Sequence, residues 1–270
     1  MPLRCVYTDL DGTLLGHGGS LFTDHAGNFS SAQARGLEAC HRAGVEVVIM
    51  SGRREAQVHE DARLLGQSSY IYEAGCAMVL DGETTLLTGE MAPSEQGTIY
   101  EQIEAAGIPK LLFEHFDGRL EYHSPWHTGR VLSHLFRGEV DVEEGNELLR
   151  ASGHRELRLL DNGAISRPMP GIDVAHAYHL VPLGSSKAAA VAAHARARGY
   201  GPDECIAIGD SVEDLDAAAA VGRFFVVANG PERDPGLRGA IAGREKVTIT
   251  EGRNGEGFYE AVVGSLMERR

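Results

Sequence analysis

The chain has 270 residues, 43% of them hydrophobic, enough to bury a full core in one large domain or two modest ones; this excludes a disordered chain. A formal net charge of −14 argues against nucleic acid or an anionic membrane as the main partner. The four cysteines, Cys5, Cys40, Cys76 and Cys205, are scattered without a CxxC pair, so a zinc site built from cysteine alone is not expected.

Leu3 to Thr8 reads as a short buried strand that ends in Asp9-Leu-Asp11-Gly12. Ser30-Ser31 offers an N-cap to a helix reaching about Arg42, closed by Ala43-Gly44. The β-branched run Val45 to Met50 is a second strand, stopped by Ser51-Gly52-Arg53. Glu55 to Leu65 reads as a helix and Tyr70 to Glu73 as a third strand. This alternation implies a parallel sheet covered on both faces. It then breaks: Met78 to Leu80, Asp81-Gly82 and Thr84 to Thr88 give a hairpin pattern. From about Gly89 to Pro182 the pieces are mixed, with seven of the twelve histidines and the only tryptophan, Trp126. That shift marks an inserted second domain. Alternation resumes with an alanine-rich helix from about Ser185 to Arg198. Cys205 to Ile208 follows as a strand, Asp214 to Ala220 as a helix, Phe224 to Ala228 as a strand and Phe258 to Met267 as a final helix. The expected division is core 1–88, insert 89–183 and core 184–270. The fold class is α/β, a Rossmann-like doubly wound parallel sheet with an inserted α+β cap.

Asp9 and Asp11, Ser51-Gly52 and Gly209-Asp210 each follow a strand, and Lys187 opens a helix. In an open parallel sheet the carboxyl ends of the strands lie along one edge, where ligands bind, so these segments converge on a single cleft. Asp9, Asp11, Asp210 and Asp214 bring carboxylates together, and oxygen-only donors suit a hard divalent cation, Mg²⁺ in this reading. Ser51 and the amides of the turn after it form an anion site, and Lys187 adds a compact positive charge. One aspartate can attack phosphorus while another gives a proton to the leaving oxygen. Singly, each tetrapeptide reads as a turn; their order and spacing carry the case.

The motifs Asp9-Leu-Asp11-Gly-Thr13, Ser51-Gly-Arg53, Lys187 and Gly209-Asp210-Ser-Val-Glu-Asp214 resemble those of the haloacid dehalogenase superfamily of phosphohydrolases. The insert resembles the C2 type B cap of Cof-like, sucrose-phosphate and mannosyl-3-phosphoglycerate phosphatases. The resemblance implies that Asp9 is the nucleophile and Asp11 the acid and then the base. It implies phosphate binding by Ser51, Gly52 and Lys187, and Mg²⁺ held by Asp9, the Asp11 carbonyl and Asp210. Glu213 and Asp214 fall just behind. Two positions depart from the family pattern. Glu213 stands where relatives have asparagine, an extra carboxylate that either tightens metal binding or crowds the phosphate. Ala74 stands in place of an asparagine whose amide would face the cleft.

In the insert, Arg130, Arg167 and Trp126 are candidates for contacting the rest of the substrate. A histidine metal site is not expected. Pro125 separates His123 from His127, and His176 and His179 point to opposite faces of an extended stretch. Most of these histidines read as solvated, or half-buried and hydrogen-bonded. The expected function is a Mg²⁺-dependent phosphomonoesterase acting on a small, sugar-like phosphorylated metabolite, mannosyl-3-phosphoglycerate phosphatase-like. A phosphomutase on the same scaffold and a non-catalytic phosphate sensor are the rivals. Asp9 and Asp11 interrupt the only early apolar run, so no signal peptide is expected. No run is long enough to span a bilayer, and a cytoplasmic monomer or homodimer is the default.

Overall fold

The computed structural model describes residues 2–165 and 167–268. Twelve strands are present among them. In chain order they are β1 (Cys5–Thr8), β2 (Glu46–Met50), β3 (Tyr70–Tyr72), β4 (Ala77–Leu80), β5 (Glu83–Leu86), β6 (Leu120–Tyr122), β7 (His134–Gly138), β8 (Leu157–Ala164), β9 (His176–Pro182), β10 (Cys205–Gly209), β11 (Arg223–Val226) and β12 (Val247–Ile249). Eight form one sheet in the order β12-β11-β10-β1-β2-β3-β4-β5, and four form a second in the order β6-β7-β9-β8. The large sheet is parallel from β12 to β3 and gains the antiparallel hairpin β4-β5 at one edge. The hairpin turns at Asp81 and Gly82, both at positive φ, as a two-residue connection requires.

The parallel strands are apolar on both faces because each face is covered. Val6, Val47, Ile49, Ile206 and Ile208 pack into one cluster with Phe258, Ala261 and Val262 of the helix Asn254–Glu268. Their neighbours Cys5, Tyr7, Val48, Met50 and Ala207 pack oppositely, against Ala190 and Val191 of the helix Lys187–Arg198. This two-residue alternation is the strand period expressed as two separate core layers. The chain reverses its winding between β1 and β10, which pair in parallel with Cys5 opposite Cys205. The crevice at the carboxyl ends of β1 and β10 is therefore the topological switch point.

The second sheet is antiparallel throughout. Phe136, Tyr178 and Leu180 face its helices together with Leu112 and Leu149. Leu135, Ala177 and His179 point the other way, toward the switch-point crevice. The fold class is as the motifs imply: a Rossmann-like core with an inserted α+β cap.

Local boundaries moved. The strand expected to run to Glu73 ends at Tyr72, because Glu73 and Ala74 adopt positive φ of 47° and 58°. The helix expected at Asp214–Ala220 is one α-turn, Val212–Leu215, followed by a 3-10 turn, Asp216–Ala219. The final helix starts at Asn254, four residues before Phe258. The short edge strand β12 was not expected, since Val247-Thr248-Ile249 is half exposed and has too few residues for a pattern. No helix among the described residues is long and apolar enough to cross a membrane.

Candidate active site

The crevice is a cleft of about 580 Å³ between the carboxyl edge of the large sheet and the inner face of the second. It is lined by Asp9, Asp11, Ser51, Gly52, Lys187 and Asp210, among others. Segments up to 201 residues apart thus meet because parallel strands deliver their ends to one edge.

Lys187 anchors the site. Ser186 caps its helix by accepting a hydrogen bond from the Ala189 amide at 2.9 Å, so Lys187 falls in the first turn. Its Nζ donates to Asp9 Oδ1 at 2.9 Å and to Asp214 Oδ1 at 2.7 Å, and lies 3.5 Å from Glu213. Burial alone would strip its proton; Asp214, Asp9 and Glu213 overcome that and hold it charged. Asp9 is 5% exposed, and its Oδ2 has no hydrogen-bond partner among the described residues. Burial pushes the Asp9 carboxyl up, and Lys187 opposes the rise.

Asp214 is fully engaged. Its Oδ2 accepts from the Asp210 and Ser211 amides and from Ser211 Oγ, closing a capping box. Asp210 accepts from Thr13 at 3.3 Å and pairs with Arg233. Burial raises its carboxyl to about 6, against the pull of Arg233. Carboxylate oxygens of Asp9, Asp210 and Asp214 lie within 4.8 Å of one another. With Asp214 committed to Lys187 and Ser211, Asp9 and, once Arg233 releases its Oδ2, Asp210 are the oxygen donors that suit a hard divalent cation. Gly12 lies against them at φ +86°, and a Cβ there would meet Asp210 Oδ2 at 2.2 Å, so only glycine fits.

Ser51 is buried, with its Oγ accepting from the Arg53 amide at 3.1 Å. Arg53 then reaches back across the cleft mouth and donates to both carboxylate oxygens of Asp11, at 2.7 and 2.6 Å. Its other arm holds Asp61 at 2.8 Å.

The two departures sit differently from expectation. Ala74 is fully buried in the core cluster, and its amide bonds the Ser51 carbonyl, so this position does not face the cleft. Glu213 lines a separate seam on the far side of Lys187. Burial raises its carboxyl, and neither of its oxygens has a hydrogen-bond partner among the described residues. Its side chain therefore acts on Lys187, not on the cleft space.

Of the cap candidates, Arg130 is 4% exposed and spent within the protein. It donates to the Gly52 carbonyl at 2.7 Å and to Ser133 at 3.0 Å. Glu73 lies beside it at 3.8 Å and accepts from the Val131 and Leu132 amides and from Ser133 Oγ. This clasp fixes cap to core. Arg167 is exposed in the cleft wall, its guanidinium 5.2 Å over the Trp126 ring. His123, His134 and His179 are buried, unlike the other four insert histidines. Burial lowers His123 and His134 to about 4.

Arg233, Asn162 and His179 line the cleft, although the sequence reading gave them no site role. Arg233 and Asn162 carried no motif. His179 carried a usable signal, alternation with His176 along an extended run.

A family model for haloacid dehalogenase-like hydrolases matches residues 6–147. A phosphoglycolate phosphatase of Methanoculleus marisnigri is 27% identical over 270 residues, covering 96% of this chain and 95% of its own. Another phosphoglycolate phosphatase, of Methanospirillum hungatei, is 30% identical over 234 residues, covering 85% and 86%. In fold, the chain is similar to the sucrose-phosphatase of Synechocystis sp. PCC6803, solved with sucrose and phosphate, at a TM-score of 0.65 and 14% identity, covering 98% of each chain. A Thermoplasma acidophilum structure aligns at 0.63 with 19% identity, covering 98% and 99%. With the family model spanning more than half its length, the chain belongs to the haloacid dehalogenase-like hydrolase family and is a phosphatase.

Proposed function

We propose that the chain is a Mg²⁺-dependent phosphomonoesterase that turns over a short anionic phosphate ester of the phosphoglycolate type through an aspartyl-phosphate on Asp9. One observation carries the reading. Asp9 Oδ1 is pinned by Lys187, which leaves Oδ2 without a partner in a cleft that also holds Ser51 and Asp210. Asp9 Oδ2 attacks phosphorus, the bond from phosphorus to the ester oxygen breaks, and Asp11, protonated once it has parted from Arg53, gives its proton to that oxygen. Asp11 then takes a proton from water, which attacks the aspartyl-phosphate, frees phosphate and restores Asp9. Ser51, the Gly52 amide and Lys187 hold the phosphoryl oxygens. Asp9, the Asp11 carbonyl and Asp210 are the Mg²⁺ ligands in this reading. A bound Mg²⁺ supplies positive charge between carboxylate and phosphate, lowering the repulsion of two anions.

Arg130 is spent within the protein, so the cation that the cap wall offers the cleft is the exposed Arg167, and no carboxylate lines that wall among the described residues. That favours an anionic leaving group, a narrower reading than the sugar-like ester expected from the motifs. We assign residues 1–88 and 184–270 to the core and 89–183 to the cap. The four buried cysteines, none in a disulfide, fit a reducing cytoplasm.

The test is a panel of small phosphate esters with and without Mg²⁺, for the native protein and Asp9→Asn. Phosphate release that needs both the metal and Asp9 supports the reading, and turnover by Asp9→Asn refutes it. Transfer to added hexose phosphates instead of water would move the assignment to a phosphomutase. A stable phosphoprotein without turnover would make it a sensor.

A further inference from the structure

We propose that His179, with Asn162 beside it, forms the subsite that receives a carboxylate on the leaving group of the phosphate ester. This rests on the proposed function and names the part of the substrate that the cap reads.

The argument starts from two contacts of one imidazole. Arg130 Nη2 approaches His179 Nδ1 at 3.4 Å, and a guanidinium can only donate, so Nδ1 is the acceptor and the ring proton sits on Nε2. His179 Nε2 has no hydrogen-bond partner among the described residues and faces the cleft. It lies directly over the phosphate-side turn: a Cβ built on Gly52 would meet Nε2 at 2.7 Å. The same Cβ would lie 3.6 Å from Asn162 Nδ2. Glycine at 52 thus allows two neutral donors from β8 and β9 to hang above the loop that holds the phosphoryl group.

The ring stays neutral. His179 is 1% exposed, and burial together with the charges of Arg130 and Lys187 keeps it well below the usual histidine range, with His123 adding to the effect. A neutral donor of fixed tautomer binds an anion without a proton to gain or lose. The Glu73 clasp holds Arg130, and so holds the tautomer. The reach is short. A leaving group whose carboxylate is one carbon from the ester oxygen can span from the phosphate loop to donors just above Gly52, whereas a large sugar would extend past them.

The experiment compares 2-phosphoglycolate with ethyl phosphate, which lacks the carboxylate, and with an aryl phosphate, for native protein, His179→Ala and His179→Asn. His179→Ala is expected to lower kcat/KM for 2-phosphoglycolate by about 10- to 100-fold, mainly through KM, because a hydrogen bond to a charged group is lost. Ethyl and aryl phosphate should stay within about threefold, and His179→Asn, which keeps a donor, should recover part of the loss. Equal losses on all three esters would place His179 on the phosphoryl group or in the fold, and no loss on 2-phosphoglycolate would remove it from the site; either overturns the proposal. Nitrogen-15 spectra of the native imidazole add a readout independent of folding in the variants. A neutral ring protonated at Nε2 at neutral pH is expected. A ring protonated at Nδ1, or an imidazolium at neutral pH, would refute the subsite. If the native protein hydrolyses none of the esters, the phosphatase reading itself fails, which is a different result from lost discrimination.

Discussion

Arg53 grips both carboxylate oxygens of Asp11 from a turn 42 residues further along the chain, at 2.7 and 2.6 Å. This bidentate pair fixes the one acid in the cleft that is not buried, with the Asp11 side chain 58% exposed. Arg53→Met should therefore lower kcat by about 10- to 100-fold, through loss of orientation at the step in which the Asp11 carboxylate takes a proton from water. Its effect on stability should stay near or below about 1 kcal/mol, since the pair is partly solvated. Arg53→Lys should rescue little, because a single ammonium cannot span two oxygens. Steady-state kinetics and urea melts check this; a kcat unchanged in Arg53→Met would show that Asp11 needs no such guide.

Lys187 carries three acids at once. Lys187→Met leaves Asp9, Asp214 and Glu213 buried without their cation. The expected cost is about 3–5 kcal/mol at neutral pH, together with loss of turnover. The deficit should shrink as pH falls, because the Asp9 and Glu213 carboxyls, raised by burial, take up protons sooner in the folded state than in the unfolded one. Urea melts at several pH values measure it. A deficit independent of pH would mean that lost packing, not charge, is responsible.

Glu213 draws on the same lysine from behind at 3.5 Å. Glu213→Gln keeps the size and removes the charge, so Lys187 is freer to hold phosphate. Product inhibition by phosphate should tighten by about three- to tenfold. The melting temperature should hold or rise, because two buried oxygens that lack hydrogen-bond partners among the described residues lose their charge. Weaker phosphate inhibition would count against the assigned role of Lys187.

At the opposite end of the sheet, Glu46 accepts from Arg198, Ser69 and Tyr200, each at 2.9 Å, and ties β2 to the helix Lys187–Arg198. Burial would raise its carboxyl, but the His194 ring 3.5 Å away and the Arg198 guanidinium bring it down from 4.5 to about 2. A carboxyl lowered on folding stabilises above its unfolded value and loses that contribution as pH falls from 4.5 toward 2. Glu46→Gln should be less stable than the native protein at pH 7, and the gap should close across that interval. Chemical denaturation at stepped pH decides it; a gap that persists at the acid end would contradict the charge-based account.

What the sequence disclosed and what it withheld divide along a physical line. Asp9, Ser51, Lys187 and Asp210 were legible as neighbours because each ends a strand or begins a helix, and parallel pairing leaves their ends nowhere else to go. Arg53 stood inside a recognised motif, yet its hold on Asp11 depends on a side chain crossing the cleft, which no spacing encodes. Arg233 and His179 were hidden for a related reason. Each reaches the cleft only through the packing of one element on a distant one, the helix Asn229–Arg233 on the switch point and β9 above Gly52. Ala74 was misplaced because positive φ at Glu73 and Ala74 turns that residue inward.

The clasp between Glu73 and residues 131–133 also reaches the Gly52 carbonyl through Arg130. One set of contacts thus ties the cap to the turn that the proposed function gives to the phosphate, and any displacement of residues 130–133 from Glu73 would also release the Gly52 carbonyl.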